Sequence, residues 1–344
     1  MKLPRIPVSL LQAAILAACF LLALAAHAAA PIADDNLNPC VERHSMSDAW
    51  FTGPMLANTA ATAPRGHMLL EPYLYDITTD GAFTSRGARH SAPHQNSYGS
   101  LTYLIYALTD TTGIGVMPTF GYTTAAQLPS SAGPRSGDLT LLLQHRLTQS
   151  RPCRWMPTVS LAVEETFPTG RYDNLGDRPT SATGAGAFTT TPEFLTQTWF
   201  WLPDHRIVRM RLNLTDAISA AVPIANASVY GTSPGFRGTA HPGRSLYADN
   251  AWELSLTRRL ILATDITYRT TANTRVTGAT TLTPTAPAQP TLLNSGSSTT
   301  WNLAPAIEYS WKPTIGILLG VRLTPAGANT SQTLTPAIAL NIVH

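Results

Sequence analysis

The fold is decided by the stretch Trp301-Asn302-Leu303-Ala304-Pro305-Ala306-Ile307-Glu308-Tyr309. Every second residue, beginning with Trp301, is apolar and mostly bulky, and the residues between are small, polar or charged. Successive side chains of a β-strand point to opposite faces, so this alternation predicts a strand with one apolar face. The same pattern recurs in 315–323 and 334–342. The C-terminal part of the chain therefore predicts three consecutive strands.

Nine further stretches upstream predict strands of similar length, which gives about twelve strands in total. They are 68–76, 98–108, 112–122, 137–147, 156–166, 193–202, 205–215, 247–257 and 260–269. The connections alternate between short turns and long polar stretches, and the long ones are 77–97, 123–136, 167–192, 216–246 and 270–299. A transmembrane barrel has short periplasmic turns and long outer loops. A soluble sandwich has no reason to place every long loop at one end.

The face opposite the bulky residues is rich in Ala and Gly, as expected for a barrel lumen with limited space. Trp301 and Tyr309 lie at strand ends, where outer-membrane barrels carry girdles of aromatic residues. No run of about 18 apolar residues follows residue 30, so no membrane-spanning helix is predicted. The predicted fold class is all-β, a transmembrane antiparallel up-and-down β-barrel of about twelve strands that covers residues 67–344.

Composition and the N-terminus agree with export. Lys2 and Arg5 precede an apolar run from Val8 to Ala25, and Ala26-His27-Ala28 is a small-x-small cleavage site. We therefore expect a signal peptide, residues 1–28, removed after Ala28. An alternative is lipidation at Cys19, although the sequence stays apolar after it. Charged residues make up 12% of the chain and the net charge is +3, which argues against a nucleic-acid partner.

Two cysteines remain after cleavage, Cys40 and Cys153, and both are expected on the periplasmic side, where a disulfide can form. Residues 29–66 contain turn formers and no periodicity. They are expected either to stay in the periplasm or to enter the lumen as a small plug, and the sequence does not choose between the two.

Strand phase places eight charged residues opposite the lipid-facing ones. They are Glu71, Glu164, Arg209, Arg211, Glu253, Asp265, Glu308 and Arg322. An Arg or Lys in the lipid would cost about 2–4 kcal/mol at mid-membrane. Two interpretations stay open: Arg–Glu pairs that stiffen the barrel, or a charged constriction that selects solutes. Arg209 and Arg211 are expected to point inward, toward Glu164 and Glu253.

No enzyme motif is present. The chain lacks a G-x-S-x-G elbow, a P-loop, a GxGxxG fingerprint and an EF-hand. His145 and Ser160 fall on neighbouring predicted strands without a readable acidic partner. His90 and His94 are separated by Ser91-Ala92-Pro93, which argues against a helical metal-binding pair. We expect no catalytic residue, no metal and no cofactor.

Three short motifs resemble a known family. Phe167-Pro168-Thr169-Gly170-Arg171-Tyr172-Asp173 follows a predicted strand, Gly137-Asp138-Leu139-Thr140 opens one, and Leu70-Glu71-Pro72-Tyr73 lies in the first. Together they resemble the outer-membrane transporters of the meta-pathway phenol-degradation family, over residues 65 to the end. The resemblance implies a monomeric barrel of Gram-negative bacteria, tied by name to aromatic catabolism.

The expected function is an outer-membrane channel that lets small, aromatic or hydrophobic solutes pass through a partly charged lumen. The alternatives are a structural or surface-interaction barrel that uses its long outer loops, and a membrane-embedded hydrolase, which the missing motifs disfavour. The expected partners are membrane lipid and lipopolysaccharide, the barrel assembly machinery and a small-molecule solute.

Overall fold

The computed structural model describes residues 48–150, 156–202, 206–281 and 287–344, and within these ranges the chain forms eighteen strands. They are β1 (Met68–Phe83), β2 (Arg89–Ala107), β3 (Thr112–Met117), β4 (Thr119–Ala125), β5 (Arg135–Ser136), β6 (Leu139–Thr148), β7 (Thr158–Phe167), β8 (Thr189–Trp201), β9 (Ile207–Ser219), β10 (Val222–Ala225), β11 (Phe236–His241), β12 (Ser245–Ser255), β13 (Leu260–Thr271), β14 (Arg275–Thr280), β15 (Gln289–Asn294), β16 (Ser298–Lys312), β17 (Ile315–Ala328) and β18 (Thr330–Val343). A single 3-10 turn, Pro179–Ser181, lies between β7 and β8.

The sheet closes on itself because β1 pairs with both β2 and β18. The result is an antiparallel barrel of twelve strands in the order β1, β2, β3 with β4, β6, β7, β8, β9, β12, β13, β16, β17 and β18. β3 and β4 together make one barrel strand, interrupted at Pro118, which has no N–H to donate. The predicted fold class and strand number are confirmed.

The outer face of the barrel is apolar. Leu74, Ile307 and Leu319 are 61%, 49% and 54% exposed, as expected for side chains that lipid covers. Trp301 and Tyr309 face outward eight residues apart on β16. That separation is roughly 27 Å along a strand, and strand tilt reduces it to roughly the height of the apolar band between two aromatic girdles.

Within the described residues, no helix is long and apolar enough to cross a membrane.

The long polar stretch 77–97, which was predicted as an outer loop, is mostly strand, because β1 and β2 continue through it and turn only at 84–88. This part of the hairpin carries polar residues on both faces, so it has no apolar alternation to reveal a strand. Asn96 donates to the carboxylate of Asp76, at 2.9 Å to Oδ2. Each strand of this hairpin is longer than the roughly 9–11 residues that cross a bilayer. The outer part of the hairpin therefore projects beyond the membrane.

The long stretches 216–246 and 270–299 also contain strands. β10, β11, β14 and β15 form a separate four-stranded sheet outside the barrel. This outer sheet has its own apolar core around Phe236, which is 1% exposed. Gly238 and Gly278 face each other across β11 and β14, and a Cβ on either would lie within 2.7 Å of the Phe236 ring. The two glycines therefore make the space that the ring fills.

Two of the motifs that carry the family resemblance meet at the outer rim. The carboxylate of Asp138 accepts hydrogen bonds from the backbone amides of Gly170 at 2.9 Å and Ala185 at 2.8 Å. Thr169 donates through its hydroxyl to the carbonyl of Gly137 at 2.8 Å. These contacts tie the β4–β6 connection to the β7–β8 connection, so both motifs have a structural role there.

Candidate functional site

A stretch of chain that precedes the barrel crosses its lumen. The amide of Trp50 donates to the carbonyl of Arg258, in the periplasmic turn between β12 and β13, at 2.8 Å. The hydroxyl of Thr62 donates to the carbonyl of Asp110, in the periplasmic turn between β2 and β3, at 2.5 Å. Both ends of residues 50–62 therefore lie at the periplasmic rim, and the middle lies inside. We call these residues the luminal arch. Of the two placements left open for residues 29–66, this part lies in the lumen.

Glu308 on β16 holds the first part of the arch. Its Oε2 accepts hydrogen bonds from the backbone amides of Thr52 at 2.7 Å and Gly53 at 3.1 Å, and from the Thr52 hydroxyl at 3.0 Å. Gly53 has φ +132°, a backbone conformation that side chains rarely allow. Glycine at this position lets two consecutive amides point at one carboxylate oxygen.

Asp265 on β13 holds the top of the arch. Its carboxylate accepts hydrogen bonds from three consecutive backbone amides, those of Met55 at 3.0 Å, Leu56 at 3.3 Å and Ala57 at 3.0 Å. Both Asp265 and Glu308 are fully buried. Amides that lose contact with water need acceptors, and these two carboxylates supply them.

The descending half of the arch is held by polar side chains on the other wall. Arg211 on β9 donates to the carbonyl of Ala57 at 2.7 Å. Ser160 on β7 donates to the carbonyl of Ala60 at 2.6 Å, and Gln144 on β6 donates to the carbonyl of Thr59 at 3.0 Å. The arch is therefore bound on both sides of the lumen.

Small residues on the inner face of β16 and β17 make room for the arch. A Cβ added at Gly316 would lie 2.2 Å from Cγ2 of Thr52, and one at Gly320 would lie 3.1 Å from the Met55 sulfur. Ala304 and Ala306 on β16 pack in the same apolar cluster as Met55. The abundance of Ala and Gly on this face thus accommodates a backbone inside the barrel.

Arg209 and Glu253 form a buried ion pair beside the arch. They are directly opposite in the β9–β12 register, and the guanidinium donates to both carboxylate oxygens through Nε and Nη2. The Arg209 guanidinium also lies over the Phe51 ring of the arch, 4.4 Å from its centroid, and near Trp199, at 5.1 Å. Nε of Arg211 is 3.6 Å from the same carboxylate of Glu253.

Glu164 does not join this group. In the described part of the chain it makes no ion pair with Arg209 or Arg211. It shares the inner face of the β7–β8 pair with Glu193, because Ala162 is opposite Glu193 in the register. Glu193 in turn accepts a hydrogen bond from the side chain of Asn58 at 3.3 Å.

Glu71 lies at the seam where the barrel closes. It accepts a hydrogen bond from the side chain of Asn341, on β18, at 3.2 Å. A cavity of about 70 Å³ lies between this wall and the arch, and Glu71, Tyr73, Tyr103, Leu142 and Leu195 are among its lining residues. The cavity thus combines aromatic and aliphatic walls with a carboxylate.

Arg322 lies in the outer half of the lumen, above the arch. It shares the inner face of β17 with Gly316, Leu318 and Gly320, and its guanidinium is 3.5 Å from the hydroxyl of Thr335. It is separate from the Arg209–Glu253 pair and from the arch.

The structure separates the remaining candidates. Ser160 faces the lumen, whereas His145 faces outward and contacts the Thr112 hydroxyl at 2.9 Å, so the two form no catalytic pair. His94 contacts Asp80, not His90. No group of three or more His, Cys, Asp or Glu that could hold a metal occurs in the described residues. Cys40 and Cys153 lie outside them.

Sequence reasoning missed several residues of the site. Gln144 and Glu193 follow the inward phase of their strands but were not among the predicted lumen residues, and Ser160 was considered only as a catalytic candidate. Arg269 on β13 shares the inward phase of Asp265 and was also missed. The phase of each strand was the signal that identifies all of them.

No family model matches the chain, and no curated protein matches it. The fold resembles a crystal structure of an outer membrane channel from Pseudomonas putida F1, with a TM-score of 0.60 and 17% sequence identity over 84% of this chain and 100% of that chain. A β domain of the Bordetella autotransporter BrkA gives a TM-score of 0.43 at 9% identity, over 81% and 99% of the two chains. A mutant of the monoaromatic hydrocarbon channel TodX gives 0.37 at 13% identity, over 83% and 93%. The first likeness shows the fold, that of an outer-membrane β-barrel.

Proposed function

We propose that this chain is an outer-membrane channel through which small solutes pass without an energy source. The observation that carries the proposal is a closed barrel with a polar inner wall, crossed by an arch that the described contacts hold without a covalent bond. The barrel is expected to work as a monomer, inserted by the barrel assembly machinery and surrounded by lipid and lipopolysaccharide.

The arch gives the channel a movable barrier at its periplasmic end. Its amides and carbonyls bind wall side chains by hydrogen bonds, and a hydrogen bond to a charged group contributes about 1.5–3 kcal/mol net. Water that enters the lumen can replace each of these contacts when the arch leaves. Opening is therefore a reversible exchange of partners, and it leaves the strand ladders of the barrel unbroken.

The proposed solutes are small and aromatic or hydrophobic. Tyr73, Tyr103, Leu142 and Leu195 line the cavity beside the arch, and the sequence resembles transporters tied to aromatic catabolism. The cavity of about 70 Å³ is smaller than the roughly 150 Å³ engineered cavity that binds benzene. An aromatic solute therefore passes this level only when the arch has moved.

Planar-bilayer recording of the purified full chain tests the channel. We expect discrete conductance steps that become longer or more frequent when the arch loses its carboxylate anchors. Swelling assays with phenol-sized solutes in proteoliposomes should rank the variants by permeability in the same order. A barrel that stays silent with and without the anchors, and liposomes that remain impermeable, would refute the channel.

The outer sheet supports a second function, a surface for contact with other molecules. Long loops without such a role have no need of a packed core, and this sheet buries Phe236, Val222 and Val276. Replacing residues 272–297 by a short turn removes β14 and β15. If the surface function holds, this variant loses adhesion or phage sensitivity while its conductance stays unchanged.

A further inference from the structure

The outer half of the lumen contains two arginines without a carboxylate partner. Arg269 on β13 and Arg322 on β17 follow the inward phase of their strands. Neither makes an ion pair within the described residues, whereas Arg209 and Arg211 both reach Glu253. Tyr247 is directly opposite Arg269 in the β12–β13 register, and Tyr75 follows the inward phase of β1. The four side chains therefore share the inner face of this part of the barrel.

The guanidinium of Arg322 is incompletely bonded. Among the described residues its buried Nε has no hydrogen-bond partner, and its Nη2 makes only a long contact of 3.5 Å to Thr335. Buried donors in native proteins nearly always have an acceptor, and an isolated buried charge is expensive. An anion in the lumen would supply both the acceptor and the opposite charge.

Arg269 is more exposed than Arg322, and it too is only partly hydrogen-bonded. Its guanidinium lies over the ring of Tyr247, 4.7 Å from the centroid, and its only described hydrogen bond is a 3.4 Å contact with the Ser245 hydroxyl. Most of its donors therefore remain available. The planar guanidinium matches a carboxylate, which can accept two parallel hydrogen bonds.

Asp249, on the inner face of β12, forms no ion pair with Arg269 or Arg322 in the described part of the chain. Oδ2 of Asp249 accepts a hydrogen bond from the Tyr247 hydroxyl at 3.0 Å. Asp265 and Glu308 are engaged by the arch, and Glu253 by the other two arginines. Asp249 therefore fixes the Tyr247 ring in place, and Tyr247 supports Arg269. Tyr75, on the inner face of β1, supplies a second aromatic side chain.

We propose that Arg269 and Arg322, with Tyr75 and Tyr247, form a binding site for the carboxylate of a small aromatic acid. The carboxylate lies between the two guanidinium groups, and the ring packs against the tyrosines. This site rests on the proposed channel function, since it names the class of solute that the outer half of the lumen collects before the arch opens.

Fluorine NMR of 4-fluorobenzoate added to the purified full chain in detergent tests the site without requiring transport. The wild type should broaden or shift the signal in a saturable manner. Arg322→Gln and Arg269→Gln should each raise the apparent Kd about tenfold or more, the loss expected for a hydrogen bond to a charged group. The Kd of Arg322→Lys, which keeps the charge, should lie between those of the wild type and Arg322→Gln. The matched control is Arg86→Gln, at the exposed hairpin turn.

Two further probes separate the contributions of charge and ring. Neutral 4-fluorobenzyl alcohol should bind weakly and show no dependence on Arg322. Trifluoroacetate, a carboxylate without a ring, should bind more weakly than 4-fluorobenzoate. Equal binding of 4-fluorobenzoate to the wild type and both Gln variants overturns the proposal, and so does the absence of binding to the wild type. If trifluoroacetate binds the wild type as tightly as 4-fluorobenzoate does, the aromatic part of the proposal is overturned.

Heat-modified migration in SDS confirms that each variant is folded before it is scored. Failure of the channel is distinguishable from failure of this site. A silent bilayer with intact, arginine-dependent binding refutes only the channel, and conductance without such binding refutes only the site.

Discussion

Oε2 of Glu308 accepts a 2.7 Å hydrogen bond from the backbone amide of Thr52, which lies 256 residues earlier in the chain. The same oxygen accepts a second hydrogen bond, from the backbone amide of Gly53. The carboxylate was expected to lie in the lumen because of its strand phase, and there it binds a backbone that crosses the barrel. The Glu308 carboxylate therefore positions the arch.

Asp265→Ala combined with Glu308→Ala should release the arch. Five backbone amides lose their acceptors, and each amide that is left buried and unsatisfied costs about 1–3 kcal/mol. We expect residues 50–62 to become sensitive to protease from the periplasmic side, and the open time in bilayers to increase several-fold. Glu165→Gln, on the outer face, is the control. Unchanged protease resistance in the double variant would show that the arch is held by other contacts.

Gly316→Ala should displace the same segment by steric means. The added Cβ would lie 2.2 Å from Cγ2 of Thr52, far below a normal contact. Gly113→Ala on β3 is the matched control, because its Cβ would meet Ile105 at an ordinary 3.5 Å. Protease mapping should distinguish the two variants. Equal protection in both would mean that the arch shifts to absorb the methyl group.

Arg209→Ala should lower the heat resistance of the barrel in SDS. The substitution leaves Glu253 buried without its main partner, and breaking a buried ion pair in this way costs about 3–5 kcal/mol. The ion selectivity of the pore should stay the same, because both side chains are buried and do not contact the solution in the lumen. Arg237→Ala, on the exposed side of the outer sheet, serves as the control. A changed selectivity with unchanged heat resistance would instead assign Arg209 to a constriction.

Asp138→Ala should loosen the outer rim and leave the barrel intact. The amides of Gly170 and Ala185 lose their common acceptor, so the connection between β7 and β8 should be cut faster by an external protease. Asp177→Ala, an exposed residue of the same connection, provides the comparison. Identical cutting rates for the two variants would contradict the role given to Asp138.

His94 should titrate above its ordinary pKa of 6.5. Asp80 accepts a hydrogen bond from its ring at 2.6 Å in the part of the hairpin beyond the membrane, and this contact raises the pKa of His94. The contact stabilises the hairpin fully below pH 6.5 and is lost as the pH rises through the raised pKa. NMR titration should show the raised pKa, and Asp80→Asn should lower it toward the ordinary value. The same pKa in both proteins would exclude the interaction.

The alternation of residues was sufficient to predict the barrel because lipid selects apolar side chains on one face. In β16 and β17 this requirement gives an unbroken period of two, and strand phase then places Glu308 and Arg322 inside. The outer hairpin and the outer sheet contact water on much of their surface, so neither has that constraint. For this reason the strands of the outer hairpin and the outer sheet could not be predicted from the alternation of residues.

The arch was equally unpredictable, for a different reason. Its contacts are backbone amides and carbonyls, which every residue possesses, so residues 50–62 carry no sequence pattern for binding. The partners were visible as charges, but a charge does not show whether it meets an ion, water or an amide. The positive φ of Gly53 has a meaning only once the position of Glu308 is known.

The route of the arch also has a consequence for the order of assembly. It needs acceptors from β13 and β16 and donors from β6, β7 and β9, so it docks only after those strands have found their places. A slip of one residue in β16 would turn Glu308 toward lipid and leave the amides of Thr52 and Gly53 without an acceptor. We therefore expect the arch to dock last, and only in a barrel whose strands are in the correct register.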